Sequence, residues 1–187
     1  MNTIYLASGN PNKVKEAQVI LGIPIEIFDV ELDEVQSMDL EEVARKKVLE
    51  AFKIVKKPVF VEDVCLNIDA LNGFPGPLVK FFLKSVGNEK LIDLFKNETN
   101  RKITVQSATG YHDGKNTHVF IGEFDGTIAT ELRGNDGWGF DFFIIPDGYS
   151  QTLAEMGFEE KNKISHRKKS LDKFKEFLDS QGNKNEV

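Results

Sequence analysis

The sequence predicts a mixed α/β protein built on one central β-sheet. Three observations carry this. Short apolar strands alternate with helical periods through the first half of the chain. The middle carries two long runs of alternating apolar and polar residues around an Asp-Gly turn, the pattern of an antiparallel hairpin. No internal repeat or linker interrupts the 187 residues, so the chain reads as a single domain over 1–187. Interleaved elements early and antiparallel strands late argue for a mixed sheet rather than a doubly wound parallel one.

The elements follow in order. Thr3 to Ala7 is a short apolar strand. Ser8-Gly9-Asn10-Pro11-Asn12 is a turn, and Lys13 opens a helix with Val14, Ala17 and Leu21 on one face, stopped by Gly22. Ile25 to Val30 alternates as a strand, and a loop with Glu31, Asp33 and Glu34 follows. Asp39 with Glu42 resembles a capping box for a long helix whose face is Leu40, Ala44, Val48, Phe52 and Val55. On that helix Arg45, Lys46 and Lys47 read as lateral, solvated charges. Val59 to Val61 is a buried strand that runs into Glu62 and Asp63. Neighbouring strand residues point to opposite faces, so only one of these acids faces a given ligand.

Leu71 to Pro77 forms a tight turn. Lys80 to Leu83 is helical, and Asn88 caps a short helix through Leu94. Arg101 to Tyr111 and His118 to Phe124 make the hairpin, with Asp113-Gly114 between them. Further strands are expected at Thr127 to Leu132 and at Asp141 to Pro146. Gln151 to Met156 is a short helix. Ser165-His166-Arg167 opens the last helix, with Leu171, Phe174, Phe177 and Leu178 inward, and Ser180 to Val187 frays.

Composition narrows the function. Hydrophobic residues make up 40% and charged residues 29%, ordinary for a globular protein, and fifteen Phe supply the core. Net charge is −6, which disfavours broad capture of nucleic acid, so an anionic ligand needs a local basic cluster, with a cation to help. The one cysteine, Cys65, cannot form an intrachain disulfide and suits a reducing compartment. No secretory signal or membrane-length apolar run is present, so the expectation is cytoplasmic, with no membrane partner. His112, His118 and His166 lack zinc-site spacing. A hard metal held by carboxylates is the better candidate, and Glu34 and Asp63 each follow a strand; magnesium takes one or two protein carboxylates and completes its shell with water and phosphate.

The N-terminal strand, loop and helix suit phosphate, because helix N-termini present free N–H groups and a positive dipole end. Ser8-Gly9-Asn10-Pro11-Asn12-Lys13 resembles the (T/S)GNxxK phosphate loop of the inosine triphosphate pyrophosphatase (Ham1-like) family. Glu62-Asp63 followed by Ala70 to Pro77 resembles that family's acidic strand and ALxGxPGP turn. Trp138-Gly139-Phe140-Asp141, Pro146 to Tyr149, Thr152 to Met156, Lys161-Asn162 and Ser165-His166-Arg167 are similar to its C-terminal block, in order, and the likeness is to the eukaryotic and archaeal branch above all. Two departures stand out: Asp63-Val64-Cys65 replaces the usual hydroxyl residue after the acid, and Phe142 stands where many members have proline.

The resemblance implies an elongated, two-lobed α/β fold with a long central mixed β-sheet, a nucleotide in the cleft between lobes, and a homodimer. It implies hydrolysis of ITP, dITP and XTP to the monophosphate and pyrophosphate with Mg2+, or Mn2+ in its place. By motif, Ser8, Gly9, Asn10 and Lys13 hold the triphosphate. Glu34 and Asp63 bind the metal, with Glu31 and Asp33 as rivals to Glu34, and Asp63 is the general base. Lys46, Val64 and Lys80 fall where the family places further nucleotide contacts. Trp138, Gly139, Phe140, Asp141, Lys161, His166 and Arg167 surround the base and sugar, with Arg167 or the first N–H groups of the last helix as donors to a 6-carbonyl. The alternatives are a Maf-like pyrophosphatase, against which Lys13 and Ser165-His166-Arg167 argue, and a non-catalytic nucleotide sensor.

Overall fold

The computed structural model describes residues 4–182, so Thr3 and the end of the expected frayed tail, 183–187, lie outside the described residues. Seven strands form one mixed sheet in the order β2-β1-β3-β5-β6-β7, with β4 paired to β3. Its strands are β1 (Ile4–Ala7), β2 (Ile25–Phe28), β3 (Val59–Ile68), β4 (Pro75–Gly76), β5 (Lys102–His112), β6 (Thr117–Ile128) and β7 (Ile144–Pro146). The helices are α1 (Pro11–Leu21), α2 (Leu40–Val55), α3 (Val79–Val86), α4 (Asn88–Leu94), α5 (Leu153–Ile164) and α6 (His166–Gly182). β1 runs parallel to β2 and β3, whereas β4 is antiparallel to β3 and β7 to β6.

The chain divides into two compact units, one within Met1–Asp63, Ser107–Gly122 and Arg167–Val187, the other within Val64–Gln106 and Glu123–His166. In the first unit the strand period of two sorts the core into two layers. Leu6 and Phe60 pack with Val14, Ala17 and Leu21 of α1 and Leu171 and Phe174 of α6. Ala7, Val59 and Val61 face Val48 and Ala51 of α2. Gly110 lets β5 approach α2, since a Cβ there would lie 2.7 Å from the Ala44 carbonyl oxygen. In the second unit Leu66, Ile68, Ile103, Val105, Phe124, Ile128, Phe143, Ile144 and Leu153 make one core.

Several local expectations change. The separate strand expected at Thr127–Leu132 is the end of β6, which closes at Ile128 and gives way to a loop. The strand expected from Asp141 shortens to β7, because Gly139–Phe142 forms a single 3-10 turn in which the Asp141 carboxylate accepts the Trp138 backbone N–H. Lys102 to His112 and Thr117 to Ile128 flank a turn in which Asp113 Oδ1 accepts the N–H groups of Lys115 and Asn116. The α2 cap also differs: Asp39 accepts from Glu41 and Glu42 N–H, but the Glu42 carboxylate turns to Ser37 Oγ instead of closing a reciprocal box.

Candidate active site

β1 ends at Ala7, and Asn10 stands immediately before α1, whose first residue is Pro11. Proline suits that position because its missing N–H is one the helix would leave unpaired anyway. Between them Ser8, Gly9 and Asn10 form a tight loop, with the Asn10 N–H donating to Ser8 Oγ at 3.2 Å. A Cβ on Gly9 would stand 2.6 Å from Asp29 Oδ1, so a larger residue there would have to displace the Asp29 carboxylate. One turn into α1, Lys13 Nζ donates to the Glu62 backbone carbonyl at 2.6 Å. Burial presses the Lys13 ammonium below the ordinary lysine value, against the opposing pull of Glu62 and Asp63.

Strand alternation sends the two acids of β3 to opposite faces of the sheet. Glu62 continues the face of Phe60, toward α1 and α6. Its Oε2 accepts from Arg167 Nε at 2.7 Å and its Oε1 from Ser107 Oγ at 3.0 Å, while Arg167 NH1 also pairs with Glu16 Oε2. All three side chains are at most 4% exposed. Burial alone would lower the guanidinium pKa, but Glu62 and Glu16 outweigh it and raise the value. Arg167 therefore lies between Glu16 and Glu62 in the first unit. In the second unit Glu155 caps α5 through the Thr152 N–H and stands 3.6 Å from Arg133.

Asp63 continues the face of Val61, toward α2. There Lys47 Nζ donates to Asp63 Oδ1 at 2.8 Å and to Glu34 Oε1 at 2.6 Å. Burial works against the Lys47 charge, yet the two carboxylates prevail and raise its pKa. Asp63 Oδ2 is buried without a hydrogen-bond partner. Lys47 is the functional candidate that the sequence reading left among the solvated charges. Its signal was present: Leu40, Val43, Ala44, Val48 and Ala51 are the buried face of α2, and position 47 falls inside that stripe at i+3 and i+4 spacing. All three loop acids are exposed, and Glu34 is the one whose carboxylate meets Lys47.

The remaining expected residues separate. Lys46 is exposed and paired with Glu42 at 2.8 Å, outside the Glu34–Lys47–Asp63 cluster. In the second unit Lys161 Nζ meets Asp141 Oδ2 at 2.7 Å and sits 3.6 Å from the centroid of the Trp138 ring. Asn88 Nδ2 donates to the Gly139 carbonyl. His166 lies between the rings of Phe124 and Phe140, at 5.7 and 5.8 Å. Val64 packs on the second unit's core, and Lys80 is exposed beside Phe81. Cys65 is buried and its thiol is pushed up to about 12 by burial, so it is an inert packing residue.

The two carboxylates around Lys47 suit a hard divalent cation. They offer oxygen donors only, one of them a buried oxygen with no partner, and magnesium typically draws on one or two protein carboxylates. Among the described residues no group of three or more His, Cys, Asp or Glu side chains is placed to hold a metal ion.

The Ham1 family pattern matches residues 4–177. A dITP/XTP pyrophosphatase of Methanopyrus kandleri is 43% identical, over 93% of this chain and 95% of its own. One from Thermococcus kodakarensis is 41% identical, over 94% and 96%. An inosine triphosphate pyrophosphatase of Schizosaccharomyces pombe is 37% identical, over 98% of each chain. Among solved structures, the Staphylococcus aureus Ham1 protein superposes with a TM-score of 0.83 at 28% identity, covering 96% of this chain and all of that one. A HAM1 protein from Coxiella burnetii gives 0.84 at 26% identity, with the same coverage. By pattern, relatives and fold alike, the chain belongs to the Ham1 family.

Proposed function

We propose that this protein is a nucleoside-triphosphate pyrophosphatase that converts ITP, dITP and XTP to the monophosphate and pyrophosphate. The observation that carries the chemistry is the Asp63 carboxylate: one oxygen is held by Lys47 and the other is buried and unpartnered at the end of an apolar strand. A buried, unpaired carboxylate oxygen is costly unless a cation or a transferable proton meets it. The relatives named dITP/XTP and inosine triphosphate pyrophosphatases supply the substrate class.

Glu34 and Asp63 are the residues that would hold Mg2+, or Mn2+ in its place. Such an ion neutralises phosphate charge as it develops during the reaction. The rest falls to the chain. Ser8, Asn10 and the N–H groups at the start of α1 grip the triphosphate, Gly9 allows the backbone to approach it, and Lys13 adds a point charge. Asp63 takes a proton from a water whose oxygen forms a bond to the α-phosphorus. The bond from that phosphorus to the bridging oxygen breaks, and pyrophosphate leaves with the electron pair. Positioning and electrostatics lower the barrier more than covalent chemistry does.

Trp138, Gly139, Phe140, Asp141, Lys161 and His166 are assigned to the base and sugar. The Arg167 Nε and NH1 are engaged with Glu62 and Glu16, so the donor to a 6-carbonyl is assigned to the first N–H groups of α6. Adenine presents an amino group at that position, and two facing donors would both go unpaired. Lys46, Val64 and Lys80 remain nucleotide contacts by family likeness alone. No helix among the described residues is long and apolar enough to cross a membrane. The single buried cysteine suits a reducing compartment, and cytoplasm is the compartment proposed.

The test is product analysis in 18O-water. ITP with Mg2+ should give IMP and pyrophosphate, with the label in IMP. IDP with free phosphate, or label in pyrophosphate, would contradict attack at the α-phosphorus. Family likeness also leads us to expect a homodimer, and a monomer mass by light scattering at micromolar concentration would refute it.

A further inference from the structure

Lys47 lies where a metal's charge would lie. Its ammonium is within hydrogen-bonding distance of Glu34 Oε1 and Asp63 Oδ1, the two carboxylates assigned to the cation. It reaches them from the buried face of α2, where its neighbours at i−4, i−3, i+1 and i+4 are Val43, Ala44, Val48 and Ala51. We infer that Lys47 is the resident counter-ion of the Glu34–Asp63 pair: it holds the two carboxylates when no divalent cation is bound and is displaced from them when one binds.

The inference builds on the assignment of Glu34 and Asp63 as the metal ligands. Three features carry it further. First, one ammonium is shared by two carboxylates, so removing it leaves two like charges with no cation to oppose them. Second, a dication bound to the same oxygens would stand a few ångströms from the ammonium. Two positive charges at that separation repel strongly at the effective dielectric near a protein surface. The ammonium and the cation therefore compete. Third, the parts that must yield can do so. Lys47 carries its charge on a flexible four-carbon stem, and Glu34 sits on an irregular loop with its side chain 37% exposed. Arg167, by contrast, is fixed between two buried acids.

The inference predicts a gain of metal affinity when a positive charge is removed from the site without adding any ligand. Removing a residue that only packs would leave metal affinity unchanged, and removing one that preorganises the carboxylates for the cation would weaken it. The measurement is Mn2+ binding followed by electron paramagnetic resonance, with no nucleotide present, on the full-length protein. Lys47→Met should bind Mn2+ at least about tenfold more tightly than wild type, a modest share of the repulsion between adjacent charges, and Lys47→Arg, which keeps the charge, should stay near wild type. Equal or weaker binding by Lys47→Met would overturn the counter-ion role. Asp63→Asn separates the two ideas. Loss of Mn2+ binding is expected there, and unchanged binding would overturn the ligand assignment and the counter-ion role with it. A second readout needs no substitution. The 1H–13C signal of the Lys47 Cε group should shift as Mg2+ saturates the wild-type protein, and a signal that stays in place while the metal binds would overturn displacement.

Discussion

Two acids that are neighbours in sequence lead into two different charge clusters in the first unit. Glu62 joins Glu16 and Arg167, and Asp63 joins Glu34 and Lys47. Both clusters place one base between two acids. In the first, every side chain is 4% exposed or less, the base is an arginine with at least two nitrogens engaged, and the Ser107 hydroxyl adds a further donor to Glu62. In the second, exposures run from 13% to 37%, the base is a lysine, and one Asp63 oxygen has no partner. The difference separates a fixed, buried charge cluster from the one to which the proposed chemistry is assigned. A planar, permanently charged guanidinium suits a fixed, dry pairing. A lysine on a flexible stem suits charges that must later face something else.

The comparison is broken most directly by deleting each base. Arg167→Met leaves Glu16 and Glu62 buried without that cation, so unfolding in urea should show a loss of ~3–5 kcal/mol, the usual cost of breaking a buried pair from one side. A loss under about 1 kcal/mol, as for a surface pair, would mean that the buried cluster does not hold the fold. Lys47→Met should cost less than Arg167→Met, because Glu34, one of its two partners, has its side chain 37% exposed and is screened by water; a cost equal to that of Arg167→Met would erase the distinction drawn between the clusters. Lys46→Ala is the smallest case. Lys46 neighbours Lys47 in sequence but points outward to Glu42, and its urea midpoint should match wild type within error. A clear shift there would place Lys46 in the structural account after all.

Much of this was legible in the chain, for physical reasons that can be named. The period of two predicted that Glu62 and Asp63 would diverge, and the Ser8–Lys13 stretch declared a strand, loop and helix through its turn residues. The choice of partners was not legible. Arg167 and Glu16 lie 151 positions apart and Glu62 lies 105 from Arg167; only the packing of α1 and α6 on one sheet face brings them together, so the donor-rich Arg167 read as a base contact. Lys47 was missed because a lysine on an amphipathic helix is usually solvated, and its place inside the apolar stripe was outweighed by its neighbours Arg45 and Lys46. The β6 boundary was lost because alternation continues to Ile128 without a turn signal, and the Asp141 strand was lost to a carboxylate that closes a turn on the Trp138 N–H.

The most direct measurement compares Glu62→Gln with Asp63→Asn, each scored for urea stability and for ITP turnover with Mg2+. Glu62→Gln should lose a few kcal/mol of stability, as a broken buried pair does, yet the folded fraction should turn over within about tenfold of wild type, far short of the loss of a general base. Asp63→Asn should keep its stability to within about 1 kcal/mol and lose turnover by ~10²–10⁴. If the two variants fall together on both scales, or if Asp63→Asn retains more than about a tenth of wild-type turnover against that expectation, the division of labour between these adjacent acids is wrong.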